Sequence, residues 1–305
     1  MALYSLSEQM TAFVKKTVSF NSTDSSLAGL RLAYSEMCRA FTPPRPAGLY
    51  VVDFELAGVA VRSYQPPVAS ASGGVPCIVY LHGGGWVVGD LDSHDFICAE
   101  LASTLGVLVI AVDYRLAPEH PFPAGFDDCL KVWRVLRNGP FQLDPARTLV
   151  AGDSAGGNLA AALCLALRDA DEPLPAAQVL IYPGLGGDQH LASRSECNDA
   201  PLLTSSDVDC YHALYLQGPA KPRAYAMPLL AQDFRGLPPA LIAVAQFDPL
   251  RDDGVLYAER LNAAGVATQL YYGEGLVHGC LRARGQAGEV DALYETLLGY
   301  LAEKL

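Results

Sequence analysis

At 305 residues, half of them apolar, the chain has the length and composition of one large α/β domain with a substantial core. A formal net charge of −12 argues against nucleic acid or an anionic membrane as partner. No apolar run reaches bilayer length, so no membrane span is expected.

The segment from Leu3 to Phe41 reads as two helices. Leu27, Leu30, Tyr34, Met37, Cys38 and Phe41 recur at helical spacing, and Pro43, Pro44 and Pro46 end the run. From Leu49 to Tyr64 the pattern becomes two strands broken near Gly58. The apolar strand in VPCIVYLHGGGWVVG (Val75–Gly89) ends in three glycines, which suit a loop whose backbone approaches a ligand. A strand at Val107–Asp113 and a helix over Phe126–Leu136 follow. Next come a strand, a tight turn and a helix within TLVAGDSAGGNLAAALCLAL (Thr148–Leu167), then a strand at Ala177–Tyr182.

Gly184–Arg223 interrupts the alternation. It is polar, holds no good strand, and is expected to lie over the sheet with the N-terminal helices. Alternation resumes with strand Ala240–Phe247, helix Gly254–Ala264, strand Thr268–Tyr272 and a helix over Glu289–Lys304. The expected architecture is therefore a mostly parallel central sheet flanked by helices, with the site at the carboxyl ends of the strands. The boundaries are cap helices over residues 1–46, core over 47–183, a cap insertion over 184–225 and core again over 226–305.

The eight cysteines are scattered without a C-x-x-C pair, several of them inside apolar runs. Free, mostly buried thiols in a reducing cytoplasm are expected. The opening MALYSLSEQMTAFVKK has no basic segment leading into an apolar core, which agrees with that location.

The candidate nucleophile is Ser154, at the apex of Gly152-Asp153-Ser154-Ala155-Gly156-Gly157. Small residues let strand and helix almost touch there, and the helix N-terminus directs free N–H groups at the same place. A serine needs a base, and His278 follows the last strand on a glycine-flanked loop. The base needs an acid, and Asp248 directly follows the strand Ala240–Phe247. Asp252 and Asp253 fall where the next helix begins and read as its caps. The order Ser154, Asp248, His278 is that of a nucleophile on a strand–elbow–helix. The N–H of Ala155 and the loop Gly83-Gly84-Gly85, with Gly84 foremost, are the candidate oxyanion donors. His82 is expected to hold that loop in shape, and Trp86 to form a pocket wall. His94, His120, His190 and His212 carry no catalytic signature.

His82-Gly83-Gly84-Gly85-Trp86, Tyr114-Arg115-Leu116-Ala117-Pro118-Glu119, Gly152-Asp153-Ser154-Ala155-Gly156-Gly157, Asp248-Pro249-Leu250 and His278-Gly279 together resemble the hormone-sensitive-lipase-like carboxylesterases, the bacterial family IV. The resemblance spans nearly the whole chain in order and spacing. It implies an α/β-hydrolase fold with a helical cap, and hydrolysis of short- to medium-chain acyl esters without a cofactor. Cys280 departs from the family, which usually has an aromatic there, and this bears on the local pocket wall.

Serine carboxylesterase chemistry is the leading reading, with a small-molecule ester as substrate. A non-catalytic binding protein on the same fold, as in the plant gibberellin receptors, would lack the histidine that stands here at 278. An amidase or lactonase would use the same three residues. A dehalogenase or epoxide hydrolase would want aspartate at the elbow. No metal-ligand cluster stands out in the sequence. A homodimer through the edge of the last strand is a further expectation.

Overall fold

The computed structural model describes residues 4–67, 74–137, 139, 141–217 and 223–305. Residues 1–3 of the expected cap, 68–73, 138 and 140 of the expected core and 218–222 of the expected insertion lie outside them. Two helices open the chain, α1 (Glu8–Val18) and α2 (Leu27–Phe41), each started by a serine side chain accepting a backbone N–H. The hairpin β1 (Tyr50–Leu56) and β2 (Val59–Gln65) leads into β3 (Val75–Leu81), α3 (Asp95–Leu105), β4 (Leu108–Asp113) and α4 (Ala124–Arg137). The elbow joins β5 (Leu143–Asp153) to α5 (Ala155–Asp169), and β6 (Gln178–Ile181) follows. The insertion carries α6 (Ala192–Glu196) and α7 (Ser205–Tyr215) and runs into α8 (Arg223–Ala226). The chain closes with β7 (Ala240–Phe247), α9 (Arg251–Ala263), β8 (Thr268–Val277) and α10 (Gly288–Lys304).

The strands form one eight-stranded sheet in the order β1-β2-β4-β3-β5-β6-β7-β8. The pairs β1–β2 and β2–β4 are antiparallel, and all the others are parallel. Parallel strands are covered on both faces, and their residues divide accordingly. Cys77, Val79 and Leu81 of β3 enter one core cluster with α4, α5 and α9; Ile78 and Tyr80 enter the other with α1, α3 and α10. In register, Leu81 faces Gly152, Asp153 faces Ile181, and Phe247 faces Val277. The loops after β3, β5, β7 and β8 therefore open at one edge of the sheet.

Three elements differ from the sequence reading. Helix α3 carries no legible stripe because Phe96, Ile97, Cys98, Ala99, Leu101 and Ala102 are all buried, leaving almost no polar side to mark a period. Helix α9 begins at Arg251 rather than Gly254. Strand β8 passes Gly273 and Gly275, where the sequence pattern ends it. Gly273 packs against Val244 O and Leu276, the Gly275 N–H donates to Gln246 Oε1 at 2.7 Å, and the strand runs to Val277, next to His278. No helix among the described residues is long and apolar enough to cross a membrane. All eight cysteines are free, and only Cys210 is exposed.

Candidate active site

The elbow forms because nothing larger fits. A Cβ on Gly156 would collide with the carbonyl of Leu81, and one on Gly152 with the backbone of Gly156. Between them Ser154 adopts φ 53° and ψ −118°, a strained conformation that the parallel strands on both sides hold in place. The Ser154 N–H donates to Ile181 O at 2.8 Å, and Ser154 O accepts from Asn158 N at 3.0 Å. The Asn158 side chain donates to Gly184 O and Ala226 O, near the two ends of the insertion, so one helix fixes both the serine and that segment.

The structure brings Ser154, His278 and Asp248 together. His278 Nε2 lies 2.9 Å from Ser154 Oγ, and His278 Nδ1 lies 2.7 Å from Asp248 Oδ2. Asp248 is fully buried, and its other oxygen accepts from Leu250 N at 2.8 Å. That second bond fixes the carboxylate plane toward the imidazole. Asp252 and Asp253 do not cap α9 with their side chains as the sequence suggested. Asp253 accepts from the N–H groups of Leu185 and Gly187 and pairs with Arg194 at 2.7 Å, while Asp252 accepts from Ser193 N and pairs with Arg251. Both carboxylates tie the insertion to α9.

The glycine loop corrects one expectation. The Gly83 N–H donates to Asp153 Oδ1 at 3.1 Å and lies 3.3 Å from His94 Nε2, so it is not free for an oxyanion. The N–H groups of Gly84, Gly85 and Ala155 have no acceptor among the described residues, and all three residues line the cavity over Ser154. Gly84 sits at φ +125°, where a side chain would run into Val88 O, so this loop demands glycine. His82 anchors the loop: its Nδ1 lies 2.8 Å from Gly83 O, and its ring stacks on Tyr114, whose O–H donates to His82 O at 2.7 Å. Burial, aided by nearby His94, pushes the His82 imidazole down to about 3 and keeps it neutral.

Asp153, quoted in the motif but given no role there, is a buried carboxylate beside the nucleophile. It accepts from Tyr80 O–H at 2.8 Å and lies 3.2 Å from His94 Nε2. Burial alone would raise its pKa. The His94 imidazole, Arg282 and the Tyr80 bond override that and hold the carboxyl below its usual range. The sequence signal was a carboxylate between an apolar strand and a nucleophile; its partners at positions 80, 83 and 94 only the fold supplies.

A cavity of about 130 Å³ opens above Ser154. Phe13, Tyr34 and Met37 from α1 and α2, with Leu203, Tyr211 and His212 from the insertion, enclose it. Trp86 lines it too, stacked on Tyr215 at 4.3 Å and tilted against His212 at 5.7 Å. Burial lowers the His212 imidazole to about 4, so it packs as a neutral ring. Cys280 lies buried in the core cluster with α10 and does not line the cavity.

These features define an α/β hydrolase, and residues 78–282 match the family model of that fold. The chain is 39% identical over 298 residues to the carboxylic ester hydrolase LipN of Mycobacterium tuberculosis, covering 92% of this chain and 78% of that protein. It is 40% identical over 237 residues to an ethyl acetate hydrolase of Pseudomonas putida, covering 76% and 74%. A crystal structure of an esterase from the bacterial hormone-sensitive lipase family superposes with a TM-score of 0.86 at 29% identity, over 98% of each chain. The chain belongs to the hormone-sensitive-lipase-like carboxylesterases of the α/β-hydrolase superfamily.

Proposed function

We propose that this carboxylic ester hydrolase works by serine catalysis through an acyl-enzyme, on short- to medium-chain acyl esters. The observation that carries the reading is the hydrogen-bonded chain from Ser154 Oγ through His278 to Asp248, at 2.9 and 2.7 Å. Ser154 Oγ attacks the ester carbonyl while its proton passes to His278 Nε2. Asp248 holds the Nδ1–H tautomer and steadies the imidazolium. The tetrahedral oxyanion faces the free N–H groups of Gly84, Gly85 and Ala155, each worth about 2.7–4 kcal/mol to the transition state. Collapse expels the alkoxide, which takes the proton from His278 Nε2. Water then gives a proton to the same nitrogen and attacks the acyl-Ser154 ester. A second collapse returns the proton to Oγ and releases the acid. The seated histidine tells against a purely binding protein. For an amide or lactone, the same steps apply with a different leaving group.

The cavity sets the length preference. Its walls come from α1, α2 and α7. Each methylene that fits adds about 0.8 kcal/mol of burial, and each that does not must displace the roof of α1, α2 and α7. With p-nitrophenyl esters, kcat/KM should peak between butyrate and hexanoate and fall at least about tenfold by dodecanoate. A maximum at dodecanoate would refute that limit.

Strand β8 ends the sheet, with Leu270 and Tyr272 exposed on it, and we assign a homodimer to that edge. Light scattering should give twice the chain mass at micromolar concentration; the chain mass alone would end the idea. The eight unpaired thiols, seven of them buried, support a reducing cytoplasm.

A further inference from the structure

Arg282 follows the proposed base by four residues, in the short turn Cys280–Ala283, and lines the same cavity as Ser154 and His278. It is 6% exposed. A buried guanidinium is ordinarily matched by a carboxylate, yet no carboxylate among the described residues lies within 4 Å of this one. All of its hydrogen bonds to the described chain leave from Nη2. They run to Tyr34 Oη at 2.9 Å, Cys38 Sγ at 3.3 Å and Ser93 O at 3.4 Å. Nε is buried without a partner, and Nη1 has no acceptor among the described residues. The rings of Tyr34 and Phe96, 5.4 and 5.3 Å from the guanidinium carbon, favour a cation but leave in-plane donors unmet.

We infer that Arg282 is a substrate-binding residue that takes a carboxylate on the acyl part of the ester, so that the preferred substrates are monoesters of short dicarboxylic acids. The inference rests on the esterase reading and narrows it. A carboxylate oxygen entering the cavity meets the Nη1 donor, which has no acceptor among the described residues, through a charge-assisted hydrogen bond. Without that cation a carboxylate would be rejected, because the Asp153 carboxylate also lines the cavity and the apolar walls replace none of the lost hydration. Here the cation is already in place, and its desolvation is borne in folding rather than on binding.

The test compares p-nitrophenyl hemiesters of succinate, adipate and suberate with the neutral butyrate, hexanoate and octanoate esters, corrected for spontaneous hydrolysis. In the unmodified enzyme the best hemiester should exceed its neutral counterpart in kcat/KM. In Arg282→Gln the ratio of the two should fall by about ten- to a hundredfold, the effect of losing a hydrogen bond to a charged partner. The ratio is independent of how much of the variant is folded, so the contacts of Arg282 with α2 do not confuse it. If Arg282→Gln yields no active protein, the unmodified enzyme decides, and a neutral ester ahead of every hemiester overturns the inference. A ratio that falls less than tenfold in the variant does so too. Failure to cleave any ester, neutral or charged, would instead overturn the esterase reading itself.

Discussion

Ser154→Ala is expected to lower ester turnover by about 10⁶-fold, to near the uncatalysed background, and to leave the fold in place. The size follows from the proposed role. With the hydroxyl gone, no covalent step is possible, and the imidazole and oxyanion donors act on a substrate with no attacking atom. The fold survives for reasons visible at the elbow. The Ser154 side chain does not cap α5, and its one side-chain hydrogen bond is to His278. Alanine keeps the backbone bonds to Ile181 and Asn158 and adds no atom to the crowded turn. The strained dihedrals are as accessible to alanine as to serine. Turnover of p-nitrophenyl butyrate and a thermal melt, taken together, check both halves. A folded variant retaining more than about a hundredth of the rate would remove Ser154 from the mechanism.

The sequence carried the elbow and the strand order because those signals are local. Small residues around Ser154 are demanded by contacts between β3, β5 and α5, and they stand within six positions of one another. His278 was legible from its place after a strand, although that strand runs five residues further than its pattern showed. What the sequence did not carry is who meets whom across the fold. The Gly83 N–H looks as free as that of Gly84 until Asp153, seventy positions later, is seen to hold it. Helix α3 was missed for the opposite reason: it is buried on too many sides to leave a period. Arg282 carries no signal in the sequence, and the approach of α2 is what buries it.

The same distinction decides what three aspartates in one short segment should do when changed to asparagine. Asp248→Asn should lower kcat by roughly 10⁴ with little loss of stability. Its side-chain carbonyl can still accept from Leu250 N. Its amide would then face His278 Nδ1 as a donor, forcing the ring proton onto Nε2, the nitrogen that must receive the proton of Ser154. Asp253→Asn should act on the fold instead. Asp253 is fully buried and accepts from Leu185 and Gly187 while pairing with Arg194, whose side chain is itself mostly buried. Removing its charge leaves that arginine unpaired, at a cost of about 3–5 kcal/mol. The melt should drop on the order of 10 °C, and the fraction still folded should turn over normally. Asp252→Asn, at a partly exposed pair with Arg251, should cost about 1 kcal/mol and leave the rate alone. Melting curves read beside kcat per folded molecule separate the three. If Asp252→Asn or Asp253→Asn loses its rate while folded and Asp248→Asn keeps its own, the acid has been placed on the wrong residue.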